Sequence, residues 1–228
     1  MPFQVLTTGP PHRGTQERIP ALDDDGTPIW EPRDGNVVDW LARDLGSSHG
    51  AASNAVIHRD ISARVYLTDA RTVVVSDHFA KGARYRSRGI GLPIIPSPVL
   101  NKASQMRAQH AASGTFLYGQ MRHRWVNGLA YSRALGRRDA NTVRIGASER
   151  NAFGERQTVI LILHLDRTHD PFEVANTIAQ RVIASRLAAS ETTDEVRAAL
   201  STAAFEDPAS LAPGKLSWIG LPGSAVLK

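Results

Sequence analysis

The period of the apolar positions changes several times along the chain, and each change predicts an element. Residues 1 to 35 carry Gly-Pro, Pro-Pro, Thr-Pro and Glu-Pro steps with little periodicity. They read as an irregular arm, with Ile19, Leu22, Ile29 and Trp30 as apolar anchors for docking. In NVVDWLARDLG, Val37, Val38, Trp40, Leu41 and Leu45 fall near one helical stripe ahead of Gly46, which predicts a short amphipathic helix over about 36–45. SSHGAASN reads as a linker. In ARVYLTDARTVVVSD, Val65 and Leu67 alternate with polar neighbours, and Val73 and Val75 do the same after Thr-Asp-Ala-Arg, predicting a β-hairpin whose first strand extends back through VIHRDIS. KGARYRSRG is a basic loop. GLPIIPSPVLNKASQMRAQHAASG is a long connection with one helical turn around residues 104–110.

From Thr115 to Val126, Leu117, Gly119, Met121, His123 and Trp125 share one face of a strand, and Tyr118, Gln120, Arg122 and Arg124 the other. Asn127-Gly128 then predicts a two-residue hairpin turn, because both central positions of that turn need positive φ. The chain should return through Leu129 to Leu135, turn at GRRDAN and form a strand over 142–147 with Val143 and Ile145 inward. TVILILHL is nearly all apolar and predicts a strand covered on both faces. DPFEVANTIAQRVIASRLA predicts a helix. Asp170 can cap it, Pro171 suits its first position, Glu173 completes a capping-box-like arrangement, and Phe172, Ala175, Ile178, Ala179, Val182 and Ile183 form its stripe. A second helix near Thr192 should turn Val196, Ala199, Leu200 and Ala203 inward. The remainder is a Pro/Gly-punctuated tail.

VYLTDARTVVVS, GQMRHRWV, NTVRIGAS and TVILILHLDRTHDPFEVANTIAQRVIASRLA together make a run of antiparallel strands followed by one capped amphipathic helix. This resembles a pleckstrin-homology-like (PH-like) domain, and the Thr-Asp-x-Arg hairpin is similar to that of bacterial members of the superfamily. The resemblance implies an α+β fold: a bent antiparallel β-barrel or sheet over about residues 55–188, closed by its C-terminal helix. Residues 1–54 become an arm with a short helix, and 189–228 a helix and tail. It implies a non-enzymatic adaptor that binds a peptide or protein. Phosphoinositide binding is not expected, since the first turn holds Thr68, Asp69 and Ala70 where a lysine/arginine motif is needed.

Composition narrows the chemistry. The chain of 228 residues is 42% hydrophobic and 21% charged, enough to build a packed core. It has no cysteine, which removes disulfides, thiolate metal sites and cysteine nucleophiles. The N-terminus lacks the pattern of a secretory signal, and VILIL is far shorter than the roughly 20 residues of a membrane helix, so a cytoplasmic location is expected. Charge is uneven: residues 81–150 hold 13 basic and 2 acidic side chains, against 14 and 20 elsewhere. Arg84, Tyr85, Arg86, Arg88, Arg122, Arg124, Arg137 and Arg138 are therefore the candidate partner-binding residues, with Trp125 expected in the core.

The histidines lack metal-ligand spacing, DDDG lacks the alternation of a calcium loop, and no nucleophile elbow or complete glycine loop is present. His123, Ser132 and Asp139 are a triad only on paper. The expectation is a protein adaptor without cofactor or metal, joined to another protein or to its own copy through a sheet edge or the basic face. Trp30, Trp40 and Trp218 lie outside the expected barrel, as aromatic anchors for a partner or for docking on the parent domain. Nucleic-acid or other polyanion binding through 81–138 is the alternative, and an unrecognised enzyme the third.

Overall fold

The computed structural model describes residues 6–7, 28–49, 55–58, 63–76, 86–87, 117–136, 139–150, 156–189, 192–212 and 214–223. The strands are β1 (Leu6–Thr7), β2 (Val38–His49), β3 (Ala55–His58), β4 (Ala63–Leu67), β5 (Arg71–Ser76), β6 (Arg86–Ser87), β7 (Leu117–Arg122), β8 (Val126–Ser132), β9 (Asn141–Arg150), β10 (Arg156–Leu165) and β11 (Ser217–Gly220). Two α-helices, α1 (Pro171–Leu187) and α2 (Asp194–Ser201), follow β10. The fold is α+β. Among the described residues, eight strands make one open antiparallel sheet in the order β7-β5-β4-β2-β10-β9-β8-β11, with β1 beside β7, the short β3 beside β2 and β6 beside β3.

The core lies on the face built by Val65, Leu67, Val74, Leu129, Tyr131, Val143, Ile145, Leu161, Leu163 and Leu165. β10 is central, paired along its length with β2 and β9, as its apolar run predicts. Helix α1 lays Val174, Ala175, Ile178, Ala179 and Val182 on this face, over β8 and β9. These residues recur at the three- and four-residue spacing that puts them on one stripe. Asp170 caps it by accepting from the Phe172 N–H at 3.2 Å, and Pro171 opens it where no intrahelical N–H is needed. In α2, capped by Thr193, Leu200 is buried and Val196 packs on the core, while Ala199 is exposed rather than inward. No described helix is long and apolar enough to cross a membrane.

Three expectations need correction. The stretch expected as a helix over 36–45 is the first half of β2. Val38, Trp40 and Ala42 face the core at period two, and Val37 and Leu41 fall on the other face, so the two apolar sets together imitate a helical stripe. The long strands of the sheet therefore begin at Val38, inside what reads as the arm. Second, Asn127-Gly128 is not a turn. Both residues lie within β8, and the chain turns instead at a 3-10 segment, His123–Trp125, which carries it from β7 to β8. Third, the register pairs Val65 with Val74 and Leu67 with Thr72. Val73 and Val75 consequently face away from the main core, into a second small cluster with Tyr66, Trp30 and Val37.

Candidate interaction site at the open edge of the sheet

The two halves of the sheet are finished differently, and the functional question turns on that. On the β4–β5 half, the segment 28–37 packs on the outer face, with Trp30 and Val37 against Tyr66, Val73 and Val75. Trp30 meets Tyr66 edge-on at 5.4 Å. Asp34 and Arg71 are both essentially inaccessible and form a two-pronged pair, Nε to Oδ1 at 2.7 Å and the terminal NH2 to Oδ2 at 2.6 Å. Arg71 also donates to Gln120 Oε1 at 3.0 Å, and the Glu31 N–H donates to Asp34 at 3.0 Å. Burial pushes the Asp34 carboxyl upward. The Arg71 fork, the Glu31 N–H and the positive charges of Arg71 and Arg33 outweigh it and hold the carboxyl below its usual value.

The Thr-Asp-Ala-Arg turn is the joint of this assembly. The Thr68 hydroxyl accepts from the N–H groups of Ala70 and Arg71 at 3.1 and 3.0 Å, closing the turn on itself. Asp69 accepts from the Asn36 N–H at 3.2 Å and from Arg181 of α1 at 2.5 Å, so the arm, the hairpin and the helix meet on one carboxylate. Gly35 has φ +62°, and a Cβ there would strike that carboxylate, so the position requires glycine. His123 is buried beside the joint with Nδ1 3.1 Å from the Asp69 carbonyl oxygen. Burial away from water, with Arg181 nearby, lowers its pKa to about 4, although the Asp69 carbonyl pulls the other way.

At the other end, β11 pairs with β8, Ser217 opposite Tyr131 and Gly220 opposite Gly128. The indole of Trp218 lies over Gly128 and reaches Gly146, the cross-strand neighbour of Gly128. A side chain at Gly128 would collide with that ring, and the glycine does not have positive φ. Its presence answers to the tryptophan and not to a turn. Trp218 nevertheless remains 49% exposed, and among the described residues no strand pairs with the outer side of β11.

Arg186 holds this end down. It occupies the position of the α1 stripe four residues after Val182, and it is buried. Its guanidinium donates to the carbonyls of Val126 and Leu221, each at 3.1 Å, and to that of Pro222, and it meets no carboxylate among the described residues. Burial lowers its pKa to about 10, which leaves it charged at neutral pH. Beneath β11, Tyr131, Phe172 and Phe205 pack edge to face, joining β8, α1 and the segment after α2.

Comparison with known protein families, curated proteins and solved structures gave no match. The site therefore stands on its own geometry. Of the residues expected to bind a partner, Arg124 is exposed with its guanidinium 5.5 Å from the centre of the Trp125 ring, and Trp125 is in the core. Arg122 is half-buried at the end of β7, opposite Arg71. Arg86 lies in β6, opposite Ile57 of β3. Arg84, Tyr85, Arg88, Arg137 and Arg138 lie outside the described residues. Arg133, from the same basic stretch, pairs with the capping Asp170 at 3.0 Å. Of the edge residues, Gly128 and Arg186 are absent from the sequence-based set, and Trp218 enters it only as one of three peripheral tryptophans. Two signals pointed to them: an arginine where the α1 stripe calls for an apolar residue, and the period-two pattern of Ser217-Trp218-Ile219-Gly220.

Proposed function

We propose that the chain is a PH-like, non-enzymatic adaptor that associates with a protein through the open edge of β11. The PH-like reading draws support from a meander whose first and last long strands, β2 and β10, are neighbours. Its halves turn about the His123–Trp125 corner, and a helix follows at once with its stripe toward the core.

One observation carries the association. Trp218 sits half-exposed on an edge strand, fixed on a glycine floor and therefore ordered before any partner arrives. An aromatic anchor held in place loses little entropy on binding. Covering about 100 Å² of indole would contribute roughly 2.5 kcal/mol at ~25 cal/mol per Å². An edge strand also offers main-chain donors and acceptors that an incoming strand can complete.

The test is stoichiometric co-purification of a protein with the full chain and with Trp218→Lys. Association lost in the variant supports the reading, and a partner retained equally by both overturns it. Arg124, exposed over Trp125, favours the polyanion alternative. Its measure is oligonucleotide affinity against salt, which falls steeply when phosphate contacts dominate.

A further inference from the structure

We infer that the partner at this edge is a second copy of the chain, with β11 paired antiparallel to its own counterpart about a two-fold axis at Ile219. The inference deepens the association proposed above and rests on it.

The main-chain geometry of β11 sets the register. The Leu221 N–H donates to the Asn127 carbonyl of β8 at 2.8 Å, and residues of an antiparallel strand direct their main-chain groups alternately to either side. Ile219 and Ser217 therefore also turn theirs toward β8, opposite Leu129 and Tyr131. Trp218 and Gly220 turn theirs outward, where no described strand pairs with β11. A symmetric pairing centred on Ile219 sets Trp218 opposite Gly220 of the second copy and Gly220 opposite its Trp218. Each such pair exchanges two N–H to carbonyl bonds, so every outward group of both residues is used. Pro222 has no N–H to extend the ladder, which ends the pairing at the tail.

The side chains fit the same register. Directly opposed residues share a face, and so the large indole meets a residue with no side chain. A Cβ at Gly220 would touch nothing within 4 Å in its own chain, so the space beside the strand is open. The two Trp218 rings become diagonal neighbours across the axis, a separation that aromatic side chains span. This self-complementarity is the property an isologous two-fold interface needs. The strand is four residues long, which places the dimer among small, transient interfaces.

Sedimentation velocity of the full chain, from micromolar to submillimolar concentration, should show a monomer–dimer equilibrium. Gly220→Val has room in the monomer but fills the seat opposite the second Trp218, and should weaken dimerisation about tenfold or more. Amide exchange at Trp218 and Gly220 should slow with rising concentration, with Ser217 and Ile219 unchanged. A chain that stays monomeric throughout, or a dimer indifferent to Gly220→Val, overturns the inference. If the chain is monomeric while Trp218→Lys still abolishes capture of another protein, the second copy fails and the edge stands. If a dimer forms regardless of substitutions at both 218 and 220, the edge itself fails.

Discussion

Segments from both ends of the chain dock on the sheet, and they do so by opposite electrostatic means. The N-terminal segment 28–37 brings a buried carboxylate to a buried guanidinium, so the charges of Asp34 and Arg71 cancel, and Gln120 and the Glu31 N–H hydrogen-bond to the pair. The C-terminal segment brings only the carbonyl oxygens of Leu221 and Pro222 to Arg186, whose charge these dipoles and the Val126 carbonyl of β8 solvate. The first arrangement seals a sheet face, and Trp30 and Val37 complete a small core there. The second adds a strand and leaves a new edge with a half-exposed tryptophan on it. A neutralised ion pair with a hydrophobic cover marks a structural closure, whereas a strand held by its carbonyls still has a side to offer.

The contrast is broken most forcefully at Arg71. Arg71→Met strands the Asp34 carboxylate in the interior and should cost about 3–5 kcal/mol in urea unfolding. The double variant Asp34→Leu/Arg71→Met should recover most of that loss. Equal destabilisation of the single and double variants would mean that the pair is not the seal.

Next in size is His123, at the corner between the two halves. Its folded pKa, about 4, lies below its ordinary value of 6.5, so the unfolded chain binds a proton that the folded chain refuses. The stability it contributes is complete above pH 6.5 and is lost as pH falls toward 4, about 3 kcal/mol in all. His123→Gln should flatten that part of the stability profile. An unchanged slope would place the acid sensitivity elsewhere.

Arg186→Met tests the other closure. Loss of its hydrogen bonds should cost about 1–3 kcal/mol, and amide exchange should rise at 217–221 while 28–37 keeps its protection. The smallest effect is expected at the edge. Trp218→Thr should change stability by only about 1 kcal/mol, because the ring is half in water already. A much larger loss would make Trp218 a core residue and remove the distinction between the two ends.

Where local pattern and tertiary environment agree, the sequence was readable. The Asp170-Pro171 start of α1, the apolar run of β10 and the Thr-Asp-Ala-Arg hairpin each rest on interactions among near neighbours, and each stands within a few residues of where the pattern places it. The basic stretch was legible as charge alone. Its members separate in space, with Arg133 at the helix cap and Arg124 on Trp125. The edge site was legible only as a peripheral tryptophan, because its parts lie far apart in sequence: Gly128 on one strand, Arg186 on a helix and Trp218 in the tail.

The chain by itself thus settled which segments alternate, which helix is capped and where the longest apolar strand runs, since periodicity and capping depend on residues a few positions apart. Only the tertiary structure decided that the apolar pattern of 36–45 belongs to a strand covered on parts of both faces. It alone set Gly128 beneath an indole instead of in a turn, and gave Arg71 and Arg186 their separate acceptors. Those outcomes depend on register and on burial of distant partners, which no local period encodes.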